Sequence, residues 1–326
     1  MPTSYAHYRF GRMVVNQLPP EYQYFAHEYP EYFYPALHGP DLTFYLVFSK
    51  NVTSLGDILH KWTGKDYFTY VGERILAEMA GEAPPPDSLF QKPTPDFVLD
   101  TLLPRTITFI ENQYRHGVQP QSVLLGKRQN TEFGAWTKRS AEKKLAYLYG
   151  FLCHFALDRV GHAYINREVE LGTASHFAIE AEFDRLLMSM DGYDPLTHHV
   201  TDHIHPSMGL ASDISLFFPG LNTSELYGCL RLQKWLLSLM NLPGRLPRKL
   251  FVAACHAGGM ETFSELYMPE HPDPHCFQTN ETLLRMFDNA VPEAADMIVR
   301  LMDYLTGKTP WPEPFYWNFE GEYKGE

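Results

Sequence analysis

Basic residues are in short supply. Lys and Arg total 27 against 39 Asp and Glu, a net charge of −12 over 326 residues. That balance repels polyanions and weighs against nucleic acid or anionic lipid as a partner held by charge, although bound metal ions can still present positive charge to a phosphate. Cysteine is sparse: Cys153, Cys229, Cys255 and Cys276 stand far apart with no Cys-x-x-Cys pair, and read as reduced, mostly buried thiols. No stretch approaches 18 uncharged apolar residues, so no transmembrane anchor is expected. The opening MPTSYAHYRFGRMVVNQLPP has no uninterrupted apolar run of the secretory kind. The expectation is a soluble cytoplasmic protein, in which Asn51-Val52-Thr53 is not a glycosylation site despite fitting the sequon. Alternating apolar and polar runs are also missing, as is any internal repeat, which leaves an all-α fold.

What the sequence does hold is concentrated between residues 147 and 184. His154, Asp158 and His162 recur every fourth residue. Four residues of α-helix advance about 400° and roughly 6 Å, so the three side chains form one stripe on one face. His154 and His162 are then roughly 12 Å apart along the axis, too far to share one ion at a Zn–N distance of about 2 Å. The stripe therefore predicts two metal positions with Asp158 between them. After a break at Leu171-Gly172-Thr173, His176 and Glu180 repeat the spacing on a second helix. A lone His-x3-Asp is ordinarily a surface pair or a satisfied core histidine. Here Phe155, Ala156, Leu157, Val160, Ala163, Phe177, Ala178 and Ile179 surround the polar residues, and burying a polar stripe in such company is costly unless something pairs it.

The flanking segments read as follows. A helix is expected from Arg9 to about Leu18, ended by Pro19-Pro20, with His7 just ahead of it. Residues 21–37 are crowded with Tyr and Phe and suggest packing. Gly39-Pro40 punctuates the chain, so Asp41 sits at a turn. Residues 54–82 read as a helix with His60 beside its apolar face, 83–96 as a proline-rich surface loop, 97–116 as a helix and 117–139 as irregular. His198, His199, His203 and His205 lie in a Pro-, Gly- and Asp-containing stretch that reads as a solvated loop rather than an accessory metal site. Amphipathic helices are expected at 222–241, 247–268 and 280–306, with a turn at His271-Pro272-Asp273-Pro274-His275.

Taken together, His7, Gly-Pro-Asp41, Leu59-His60, the His154-x3-Asp158-x3-His162 helix and His176-x3-Glu180 resemble the bacterial zinc-dependent phospholipase C family. The resemblance covers about residues 1–190 and implies a multi-helical bundle with a cluster of two or three Zn²⁺ ions. It implies that Asp41, His60, His154 and Asp158 hold one zinc, that His162, His176 and Glu180 hold a second, and that Asp158 bridges to a third that also takes His7. Secreted members complete the third site with an N-terminal tryptophan. No Trp precedes Trp62 here, which leaves that site open between Met1 or Pro2 atoms, another side chain, water, and a weak or empty site.

The resemblance further implies a phosphodiester hydrolase acting on a phospholipid or related phosphate ester, with Asp41 accepting the proton of the attacking water. Two alternatives stand beside it. S1/P1-type nucleases resemble the same scaffold but end the last motif in Asp where this chain has Glu180, and a non-catalytic metal-binding regulatory protein would need the same ligands. The expected organisation is one all-α domain over 1–326, with the metal core at 1–190 and a helical extension, 191–326, packed on it.

Overall fold

The computed structural model describes residues 4–46, 55–80, 82, 130–240, 249–250, 252–253, 256–257 and 267–325. The described residues are predominantly helical and form no strand, only the isolated bridges Thr63 to Asn318 and Trp317 to Tyr323. The all-α expectation therefore holds.

The fold is arranged around α6, Asn130–Glu170. Its middle turns are apolar in every direction: Ala146, Tyr147, Leu148, Phe151, Leu152, Phe155 and Ala156 are all buried. A helix with no polar face must be surrounded, and α6 has neighbours on several sides. On one side lies α3, Pro30–Ala36, closely enough that a Cβ on Gly150 would fall 2.3 Å from the Phe33 carbonyl oxygen. On others lie α1, Ser4–Gln17, and α10, Phe277–Leu305. Leu283, Phe287, Ala290, Val291, Ala294, Ile298 and Leu301 give α10 a buried stripe of helical period. The remaining helices are α2 (Pro20–Glu28), α4 (Leu55–Lys61), α5 (Gly64–Ala80), α7 (His176–Met190), α8 (Met208–Asp213) and α9 (Thr223–Met240).

Several local expectations need correction. The first helix starts at Ser4 rather than Arg9, and so carries His7 on it. Residues 54–82 form not one helix but α4 and α5, because Thr63 interrupts: its Oγ1 accepts the Asp66 N–H at 3.0 Å and caps α5. Residues 130–139, expected to be irregular, belong to α6; a run rich in Lys, Arg, Glu and Ala starts at Lys138, which pairs with Glu142 one turn on. The break after α6 falls at Gly172, in the left-handed region at φ 79°, and Ser175 caps α7 through the Ala178 N–H. Cys153, Cys229 and Cys276 are free and buried. Cys255, the sequon at 51–53, the proline-rich run 83–96, the 97–116 helix and most of 247–268 lie outside the described residues. None of the described helices is long and apolar enough to cross a membrane.

Candidate metal centre

Five segments meet at the side of α6. From α1 comes His7; from the 3-10 turn Gly39–Tyr45 comes Asp41; from the last turn of α4 comes His60. His154, Asp158 and His162 project from α6, and His176 and Glu180 from the first turns of α7. All eight residues singled out in the sequence come together, in three triads of which the first two share His154: Asp41, His60 and His154; His7, His154 and Asp158; and His162, His176 and Glu180. Within each triad the candidate ligand atoms lie within 4.8 Å of one another. The second triad differs from the expected grouping in that His154 faces His7 as well as Asp41.

Asp158 is the centre of the cluster. Its Oδ1 lies 3.1 Å from His7 Nε2 and 3.6 Å from His162 Nε2, and its Oδ2 lies 2.8 Å from His154 Nε2 and 3.7 Å from His60 Nε2. Asp41 Oδ1 reaches His60 Nε2 at 3.1 Å, and Glu180 Oε1 reaches His176 Nε2 at 3.1 Å and His162 Nε2 at 3.7 Å. Most of this is sealed from solvent; the His176 side chain, 27% exposed, marks the open end.

The donor set fits divalent zinc on the structure's own terms. Six side-chain atoms of the cluster are buried without a well-directed hydrogen bond: His7 Nδ1, Asp41 Oδ2, His162 Nε2, Glu180 Oε2, and His154 Nε2 and Asp158 Oδ2, which stand 2.8 Å apart. So many unsatisfied atoms at one point are costly unless a further group completes them. The histidines are held for the task. His60 Nδ1 donates to the Gly56 carbonyl at 2.7 Å and His154 Nδ1 to the Leu37 carbonyl at 3.1 Å, which leaves each Nε2 lone pair turned inward once the ring is neutral. His176 Nδ1 faces Asn166 Oδ1 at 3.0 Å. Imidazole nitrogen with carboxylate oxygen in tetrahedral-sized groups is a zinc-type donor set.

The acids and histidines of the cluster shift one another's protonation. Burial would raise the Asp158 carboxyl, but His154, His162 and His7 hold it well below the usual carboxylate range. Burial opposes the protonated form of His60, yet Asp158 and Asp41 raise it to about 10. Burial pushes the Glu180 carboxyl up, but the positive chain N-terminus first, and then His162 and His176, bring it down to about 2. Burial lowers His154, against the pull of Asp158.

Residues beyond the expected set build the frame. Asp184 continues the His176, Glu180 spacing by one more turn, and its carboxylate accepts the N–H of Tyr5 at 3.0 Å and of Ala6 at 2.7 Å. It thus caps the start of α1 and places His7. Asn166 likewise extends the His154, Asp158, His162 stripe by four. Both spacings are visible in the sequence. Gly39 is required where it stands: at φ 49° it lies beneath His154, and a Cβ there would come within 2.2 Å of the ring.

The histidine group at 198–205 is not a solvated loop throughout, and among the described residues it enters no three-ligand group. His203 Nε2 meets His38 Nε2 at 3.0 Å, with the rings parallel, and Tyr8 stacks on His203. His38 in turn accepts the Asp41 N–H on its carbonyl. His198 stacks on Tyr193 with ring centroids 4.0 Å apart. Atoms of Met1 and Pro2, the candidates for completing the third site, lie outside the described residues.

No curated protein and no solved structure matched the chain. The family model for zinc dependent phospholipase C matches residues 6–212, a span that takes in all eight clustered residues, Asp184 and His203. The chain belongs to the zinc-dependent phospholipase C family.

Proposed function

We propose that this protein hydrolyses a phosphodiester of the phospholipid type on the glycerol side of the phosphate. The observation that carries the reading is the set of six buried nitrogen and oxygen atoms without a well-formed hydrogen bond, converging from four segments of a chain in this family. Asp41, His60 and His154, with Asp158, would hold one zinc; His162, His176 and Glu180 a second; His7 with Asp158 a third. Zinc bound there supplies positive charge to phosphoryl oxygens and makes water a nucleophile near neutral pH.

The rest falls to the chain. Asp41 has two carboxylate oxygens for two tasks: one would go to the zinc shared with His60 and His154, which leaves the other to take a proton from an attacking water. The Leu37 and Gly56 carbonyls keep His154 and His60 in fixed orientation. Phe44, stacked on His60, and Phe319, packed edge-on against it, exclude water from the sealed side. Substrate enters from the His176 end.

The test is a panel of diesters with the purified protein, zinc-loaded and chelated: phosphatidylcholine, bis-p-nitrophenyl phosphate and single-stranded DNA. Zinc-dependent release of phosphocholine supports the reading. Hydrolysis of DNA alone would replace it with a nuclease, and inactivity of the zinc-replete protein on all three would leave a non-catalytic metal protein.

A further inference from the structure

The net charge of −12 is unevenly spread. From Leu226 to Met260 there is no Asp or Glu, while Arg231, Lys234, Arg245, Arg248 and Lys249 all fall there. This reverses locally the argument from total charge against an anionic lipid partner. The segment begins in α9, which lies beyond the span matched by the family model.

The structure gives α9 two different faces. Its inner face buries Leu226, Cys229, Leu230, Gln233 and Leu237, and packs on α8 and on the 3-10 turn that carries Asp41. Its outer face is the stripe Ser224, Gly228, Arg231, Trp235 and Ser238, all exposed. Trp235 is 58% exposed, an unusual place for the side chain with most to gain from leaving water. It borders an open concavity of about 420 Å³ lined also by Pro206, Tyr227, Arg231, Lys234 and Ser238. The Arg231 guanidinium lies over the Tyr227 ring at 5.7 Å, and Lys234 Nζ donates to the Ile204 carbonyl at 2.6 Å. Among the described residues no carboxylate pairs with Arg231 or Lys234. Met208, at the start of the neighbouring α8, is also exposed.

An exposed tryptophan with an exposed arginine one turn away and a half-buried lysine beside it, neither paired with a carboxylate and with no acid from Leu226 to Met260, is the composition of a surface that seats at the headgroup level of a bilayer: indole among the glycerol esters, cations toward the phosphates. We infer that the outer face of α9, centred on Trp235, Arg231 and Lys234, docks on an anionic phospholipid bilayer. The inference rests on the proposed function in one respect: a substrate that is itself a membrane lipid explains why the helix packed on the Asp41 turn should carry such a surface. Docking is otherwise separable from catalysis, because none of these side chains belongs to the metal centre.

The experiment is co-sedimentation of the full-length protein with sucrose-loaded vesicles of phosphatidylcholine alone and of phosphatidylcholine with phosphatidylglycerol, in low and high salt. The Asp41→Asn protein is run in parallel so that lipid turnover does not deplete the vesicles. The expected result is binding to the anionic vesicles, weakened by salt. Arg231→Glu should bind roughly thirty-fold less tightly, as for two charge units at the surface, and Trp235→Ala at least about fivefold less tightly. Both variants should keep the wild-type melting temperature and the wild-type rate on bis-p-nitrophenyl phosphate. Equal binding by wild type and both variants, or equal binding to neutral and anionic vesicles, would overturn the docking. If the soluble diester is still hydrolysed in that case, the catalytic reading stands; if vesicle binding follows the expected pattern but no diester is cleaved, the catalytic reading fails and the docking stands.

Discussion

The carboxylate of Asp184 accepts the backbone N–H of Ala6 at 2.7 Å, and with it that of Tyr5. This joins the far end of the His176, Glu180 stripe to the residue before His7, so one buried acid sets where α1 delivers its histidine. Asp184→Ala should leave two backbone donors unsatisfied and cost about 3 kcal/mol of stability. It should also lower zinc content by the ion associated with His7, while the His162, His176 and Glu180 group keeps its own. Elemental analysis with a parallel thermal melt checks this; full zinc content in the variant would show that Asp184 does not position His7.

Alanine at His162 should release one zinc per chain. It also leaves the buried Glu180 without one of the two histidines beside its carboxylate, a loss of about 3–5 kcal/mol as for a broken buried pair. His176→Ala should release the same ion with a smaller loss of stability, since that side chain is partly in water. Elemental analysis of each variant decides it, and unchanged zinc in both would remove this triad from the account.

Gly39 lies under the His154 ring at a φ of 49°. Gly39→Ala is both strained and in collision with a candidate ligand, so it should cost about 1–3 kcal/mol and reduce zinc at the group containing His154 and Asp41. Calorimetry and elemental analysis report the two effects. A variant that binds zinc and melts like wild type would contradict the geometry of the turn.

His203 supplies a pH signature away from the ligands. Burial, with His205 and Lys234 adding to it, lowers it to about 3. The folded state therefore keeps the ring neutral where the unfolded chain, near 6.5, takes up a proton. Its contribution to stability is complete above about pH 6.5 and is lost as pH falls toward 3, at up to about 1.4 kcal/mol per pH unit. In metal-free protein, so that zinc release does not enter, His203→Gln should show a shallower fall in unfolding free energy between pH 6.5 and 4. Identical slopes would contradict the burial of a neutral ring.

Much of the centre was legible because helical periodicity carries it. The i, i+4 spacing of His154, Asp158 and His162, repeated by His176 and Glu180, reports a shared face whatever the tertiary structure does. His7, Asp41 and His60 have no such pattern around them, and only the order of their motifs singled them out. The carbonyls of Leu37 and Gly56 that orient two of the histidines have no side-chain signature at all. His203 was misread because its Pro- and Asp-containing loop looks solvated, whereas packing against Tyr8 and His38 depends on contacts more than 160 residues apart in sequence. The Thr63 interruption between α4 and α5 was missed because a one-residue cap leaves hydrophobic periodicity nearly intact.

The central claim is that Asp41 takes the proton of the attacking water at a zinc-bearing cluster, and Asp41→Asn tests it most directly. The substitution keeps the size of the side chain and removes its charge. The measurement is the rate of phosphatidylcholine and bis-p-nitrophenyl phosphate hydrolysis by Asp41→Asn and wild type, with zinc per chain determined on the same samples. The expected result is a fall of roughly 10²- to 10⁴-fold, as for lost general-base assistance, with zinc retained at His162, His176 and Glu180. A variant with full zinc content and the wild-type rate on either substrate would contradict it.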